Sequence, residues 1–153
     1  MADETYTYRN LILWQKAQEL ALDIVKLVGP LPEDRIAPIM GRQVLRSASS
    51  IGANIAEGHG RYSLAAHRNH LSIAKGSACE TDGWLDLLRR ADYIDAQREE
   101  RLHASCSEII RMLTAKILDL ERREAARGKR VREEPETYVA EDVDSVDQPG
   151  SRF

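Results

Sequence analysis

The residues with the most chemical potential fall in one stretch, RSASSIGANIAEGHGR, and in the segment after it. Arg46, Ser50, Asn54 and Glu57 are spaced by four, four and three, so on a helix they stack along one face, with Gly58 next in line. Ile51 and Ile55 lie on a neighbouring strip. A polar ladder beside an apolar one, among Ala, Ser and Gly, suits a tightly packed, partly buried polar network. Ser77 and Glu80 are its natural partners on the next helix, if Gly76 lets the two helices approach closely. Asn54 would then bond Ser77 or Glu80, and Arg46 would take a carboxylate in bidentate fashion. Such a network fixes helix register and a subunit interface. Glu57 and Glu80 are also the paired carboxylates that acid–base chemistry uses. No nucleophile–base pair accompanies them, so no catalytic residue is assigned and the chain reads as a non-enzyme.

His59, His67 and His70 gather near the turn after this ladder. His67 and His70 are three apart, so both can face one ion. No acidic ligand is placed with them, and Arg61 and Arg68 lie alongside. Polar-face histidines are the reading, and neither a metal nor a cofactor is assigned. Glu100 and His103 have the Glu-x-x-His spacing of di-iron bundles. Those sites need two such motifs and two more inward Glu residues, and only one motif is present. Arg61, Arg68 and Lys75 make one segment basic and are the candidate nucleic-acid contacts. An ordinary solvated face competes with that reading. There is no Gly-rich phosphate loop, since GHGR is too short to stand for one. Trp14, Trp84 and Tyr93 read as packing anchors rather than stacking platforms.

Four helices must position these groups. The first is predicted from Leu11 to about Val28, with Asn10 as N-cap and Leu13, Ala17, Leu20, Ile24 and Leu27 inward. Gly29-Pro30-Leu31-Pro32 ends it. The second starts near Pro38, carries Met40, Val44, Ala48, Ile51 and Ile55 inward, and stops at Gly58-His59-Gly60, where Gly permits a left-handed cap. Ser63 caps a third helix running to about Ala91, with Leu64, Leu71, Ala74, Ala78, Leu85 and Leu88 inward. Gly76 and Gly83 inside it each cost about 1 kcal/mol against Ala, so close backbone approach is the expected reason for them. After a turn at Asp92–Asp95, a fourth helix runs to Arg123 on Leu102, Cys106, Ile109, Leu113, Ile117 and Leu120. Four helices with short connections imply an all-α, antiparallel up-down four-helix bundle over residues 1–124.

From 125 to 153 the apolar pattern stops. A basic patch (Arg127, Lys129, Arg130, Arg132) gives way to acidic residues, and this charged tail reads as disordered. Neither the bundle nor the tail is basic overall, and the net charge is −3, which argues against tight binding to nucleic acid or an anionic membrane. No apolar run approaches the roughly 20 residues of a membrane span. The start, MADETYTYRN, is unlike a signal peptide, so a cytoplasmic setting is expected. Cys79 and Cys106 read as small buried residues in a reducing compartment.

NLILWQKAQELALDIVKL, RQVLRSASSIGANIAEGHGR and HLSIAKGSACE, in that order, resemble the signature blocks of the four-helix bundle proteins related to the 23S rRNA intervening-sequence protein. The resemblance spans Tyr8 to Arg123. It implies an all-α bundle that assembles with itself as a homopentamer, and it brings no enzyme activity. More distantly it extends to the accessory variability proteins of diversity-generating retroelements, basic pentameric bundles that bind nucleic acid and a reverse transcriptase. His67 and His70 stand where such proteins commonly carry large aromatic residues. The expectation is a self-associating binding or scaffold module. An RNA- or DNA-binding accessory protein is the first alternative. A small-molecule or metal enzyme using Glu57, Glu80 and the histidines is the second.

Overall fold

Apolar side chains recurring every three or four residues draw each segment onto a shared core. In the computed structural model, which describes residues 7–133 and side chains as far as 129, a short 3-10 turn (Tyr8–Asn10) leads into four helices. They are α1 Ile12–Val28, α2 Ala37–His59, α3 Leu64–Arg90 and α4 Ala96–Glu133. Consecutive helices pack on one another, and α4 closes back on α1. Leu20, Ile24 and Leu27 meet Val44, Ile51 and Ile55 of α2, Leu71, Leu85 and Leu88 of α3, and Leu102, Ile109 and Leu113 of α4, all essentially buried. Burying each such side chain contributes about 1.5–3 kcal/mol. The predicted all-α four-helix bundle is the observed fold. Among the described residues no helix is long and apolar enough to cross a membrane.

The helix ends show local chemistry that periodicity does not. Ser63 caps α3 as expected, accepting from the Ala66 N–H at 3.1 Å. Asn10 does not cap α1: it closes the 3-10 turn, and Leu11 takes the N-cap position with no side-chain bond. At α2, Oδ1 of Asp34 accepts from the Ile36 and Ala37 N–H groups, both at 2.7 Å, while its Oδ2 accepts from the Tyr93 hydroxyl at 2.8 Å. The carboxylate is thus held below its ordinary range, chiefly by the Ala37 N–H, then by Tyr93 and Ile36.

Gly60 ends α2 in a right-handed turn (φ −78°), so the expected left-handed cap is absent there. The one positive-φ residue among those described is Asp92 (φ 59°), after α3. Its N–H bonds the Arg89 carbonyl, and the Tyr93 N–H reaches back to Leu88 at 3.0 Å, which makes a Schellman ending with Asp in the glycine place.

Three further expectations are corrected. Helix α4 continues to Glu133, well past Arg123, because Arg, Glu, Ala and Lys sustain a helix without an apolar stripe. The predicted disordered tail therefore begins with helix, and residues 134–153 lie outside those described. Among the described residues Gly76 and Gly83 admit no close helix, since a Cβ at either would meet nothing within 4 Å. Close approach belongs instead to Gly41, Gly52 and Gly58 of α2. Finally, Cys79 is exposed. Only Cys106 is buried, and burial pushes its thiol up to about 12.

Candidate functional site

Helices α2 and α3 meet along a line of hydroxyls. Thr81 and Ser47 are buried, with their oxygens 2.9 Å apart. Thr81 Oγ1 also lies 2.8 Å from the Ser77 carbonyl, and Ser47 donates to the Val44 carbonyl at 3.1 Å. Each hydroxyl has one proton, so Thr81 donates either along its own helix or across to Ser47. One turn further on, Ser77 donates to Ser50 Oγ at 3.0 Å, and Asn54 Nδ2 donates to Ser50 Oγ and to its carbonyl at 3.1 and 2.9 Å. Asn54 Oδ1 faces His70 Nδ1 at 3.4 Å, while His70 Nε2 accepts from Arg61 Nε at 3.2 Å. In neutral His70 this arrangement places the proton on Nδ1. No buried side-chain nitrogen or oxygen lacks a partner among the described residues.

Of the ladder, then, Ser50, Asn54 and Ser77 lie in the seam. Arg46, Glu57 and Glu80 do not: all three are exposed at its rim, which corrects their expected burial. Arg46 makes a single 3.4 Å contact with Glu80, not a bidentate one, and Trp84 Nε1 points at the same oxygen. Glu57 pairs with Arg61 and lies 3.6 Å from His70. Asn54 reaches Ser50 and His70 rather than Ser77 or Glu80. Sequence reasoning missed Ser47 and Thr81, although each is visible as the next small polar residue along its strip, three before Ser50 and four after Ser77.

Gly58 makes the lower seam possible. A Cβ there would stand 3.0 Å from His70 Cβ and 3.3 Å from the His67 carbonyl. Gly58 thus lets the His67 and His70 turn of α3 close against α2.

The basic candidates are mostly engaged. Arg61 is held by Glu57, and Arg68 by Glu124 of α4 at 2.7 Å. Lys75 is half-buried. Among the described residues no group of three metal-ligating side chains converges, and His59, His67 and His70 do not form one. His103 faces outward, not into the bundle, and lies 2.7 Å from Asp82 of α3 and 3.5 Å from Ser107. Asp82 raises its pKa through that bond and its charge, with a smaller push from Glu99. The order Asp–His–Ser echoes a hydrolase triad. Yet these side chains ride on continuous helices whose N–H groups are spent internally, so no oxyanion hole accompanies them.

The opposite side of the bundle holds a cleft of about 720 Å³. Leu11, Ile12 and Leu13 at the start of α1 form one wall, and Met112, Ala115, Lys116 and Asp119 of α4 the other. Ile55 and Leu71 make its floor, with His59 and His67 at the side. His67 is held below its ordinary pKa, first by burial and then by Lys116, His59 and His70.

Three comparisons bear on this arrangement. The family model described as 23S rRNA-intervening sequence protein matches residues 9–115. Among solved structures, this chain resembles a protein of unknown function from the S23 ribosomal protein family of Bacteroides thetaiotaomicron VPI-5482. The two share 36% identity at a TM-score of 0.64, over 69% of this chain and 98% of that one. No curated protein matches it. The match covers α1, α2, α3 and the first part of α4, well over half of the chain, and with the shared fold it settles the family: the chain belongs to the 23S rRNA-intervening sequence proteins.

Proposed function

We propose that this protein is a non-enzymatic, self-associating bundle that serves as a cytoplasmic binding or scaffold module, assembled as the homopentamer its family resemblance implies. The outward face of α3 carries the reading. Ala65, Asn69, Ser72, Gly76, Cys79 and Gly83 repeat there at intervals of four and three, and every one is exposed. Ile73 and Leu87, also exposed, flank the strip. Each glycine costs about 1 kcal/mol of helix stability against Ala, and nothing among the described residues accounts for that cost. A helix of a second copy seated on the strip does, because a seam repeating every 3.5 residues is the one that helices pack along. The rim carboxylates Glu57 and Glu80 are solvated and already paired, which supports a structural rather than a catalytic role for them. The engagement of Arg61 and Arg68 by carboxylates weighs against the RNA- or DNA-binding alternative.

Light scattering on the full chain is the test. The expected mass is near five times 17.3 kDa, and Gly76→Leu with Gly83→Leu should lower it while leaving the helical signal intact. A parent that stays monomeric at micromolar concentration overturns the proposal.

A further inference from the structure

We propose that the cleft between the start of α1 and the middle of α4 binds a small amphiphilic monocarboxylate, an apolar chain or ring carrying one negative charge. Its volume of about 720 Å³ falls in the range of small-molecule sites. Leu11, Leu13, Ile55, Leu71 and Met112 give it an apolar body, and Ile12 at its mouth is 63% exposed. This apolar surface remains open among the described residues, and the parting of α1 from α4 here leaves room for a guest.

Charge at the rim selects the head group. Lys116 Nζ stands 3.7 Å from Asp119, beyond hydrogen-bond reach. Asp119 is more closely held by Arg123, at 3.0 Å. Arg123 lies outside the lining and draws Asp119 toward itself, so Lys116 is the cation that the cleft wall offers, and one cation matches a monoanion better than a dianion. The rim also faces the start of α1, where no side chain caps the helix and no acidic residue stands in the first turn. The partial positive charge of that helix end adds to the same preference. Lys116 is half-exposed, so its flexible side chain can turn from Asp119 to a ligand carboxylate. His67, held neutral at the side of the cleft, supplies a hydrogen-bonding group without adding charge.

Calorimetric titration of the full chain with decanoate, and with decan-1-ol as its uncharged counterpart, tests this. Decanoate is expected to bind saturably below its micellar concentration, and more tightly than decanol. Lys116→Gln should weaken decanoate about five- to tenfold, the discounted worth of a half-exposed charged contact, and leave decanol unchanged. Ala115→Trp adds bulk at an exposed lining position without touching the core, so it should remove binding of both while the melting curve holds. Failure of decanoate to saturate, equal binding of the two probes, or Ala115→Trp binding like the parent would each overturn the proposal. So would a parent that binds neither probe while Ala115→Trp changes the assembled mass, because the cleft would then belong to a second copy.

Discussion

The α2–α3 seam and the α1–α4 seam are built from the same bundle geometry and end up as opposites. The first is shut. Small residues on α2 bring the helices together, and a continuous line of hydroxyls, an amide and an imidazole satisfies itself inside. The second is pinned only at some points. Lys16 meets Glu108 at 3.0 Å, Arg98 reaches the Lys26 carbonyl at 3.3 Å, and beyond Lys16 the helices part around the cleft. There α1 and α4 confront each other mostly with large side chains, Leu11, Leu13, Met112 and Lys116, with Ala115 the one small residue in the wall. The difference teaches that side-chain size at the facing positions, more than hydrophobicity, decides whether a helix pair closes. A closed seam must then pair its polar groups, and an open one is free to keep apolar surface for something else.

The sharpest way to break this comparison is to give the shut seam a large residue. Gly58→Leu would drive a side chain into His70 Cβ and the His67 carbonyl. Backbone cannot yield as a flexible side chain would, so a loss of about 3 kcal/mol is expected, read as a lower midpoint in urea. Ala115→Leu across the open seam should move the same midpoint by less than about 0.5 kcal/mol. Equal effects would mean that the two seams do not differ in closeness.

Much of this was legible beforehand, and the residues show why. The inward stripes Ala17-Leu20-Ile24-Leu27 and Val44-Ala48-Ile51-Ile55 follow from a period of 3.6, which a sequence displays directly. The Ser63 cap is a local signal of the same kind. What failed needed the third dimension. Glu57 shares a helix face with Asn54 in a wheel projection, but α3 covers only part of that face, so Asn54 is half-buried and Glu57 lies at the edge. Gly76 lies on the outward face of α3 rather than against α2, and its place in the sequence does not reveal which side it serves. Asp34, three residues ahead of the helix it caps, and the cleft, made by four elements, have no contiguous signature. Asp92 adopts a positive φ that composition alone assigns to glycine.

A gentler change sharpens the distinction between seam and rim. Asn54→Leu removes a donor to Ser50 and an acceptor facing His70 and should cost about 1–3 kcal/mol. Glu80→Leu removes a carboxylate that is 42% exposed with its contacts at 3.4 Å, and should change stability by no more than about 0.5 kcal/mol. Guanidinium unfolding of both variants beside the parent measures this, since its salt also mutes the exposed ion pairs. A Glu80 effect as large as that of Asn54 would return Glu80 to the network.

The smallest expected effect is a pair of opposed pH dependences, one for each kind of histidine. His67 packs between the two seams and its folded pKa is lowered, by burial first and then by Lys116, His59 and His70. The unfolded chain therefore takes up this proton more readily. Its contribution to stability is full above the unfolded value near 6.5 and is lost as pH falls through the folded one. His103 lies on the surface with its pKa raised, by the hydrogen bond to Asp82 first and then by the charges of Asp82 and Glu99. Its contribution is full below the unfolded value and is lost as pH rises through the folded one. Between pH 5 and 8, where most carboxylates stay ionised, His67→Gln should flatten the acid side of the stability curve and His103→Gln the alkaline side. The His103 effect should be the smaller and should shrink in high salt, because His103 is 53% exposed and its pair with Asp82 lies open to solvent. The His67 effect should persist in salt, since desolvation leads its causes and is not screened. If both slopes have the same sign, or if salt abolishes the His67 slope, burial at the junction of the seams is not what holds His67 neutral, and the contrast between an interior and a surface histidine fails with it.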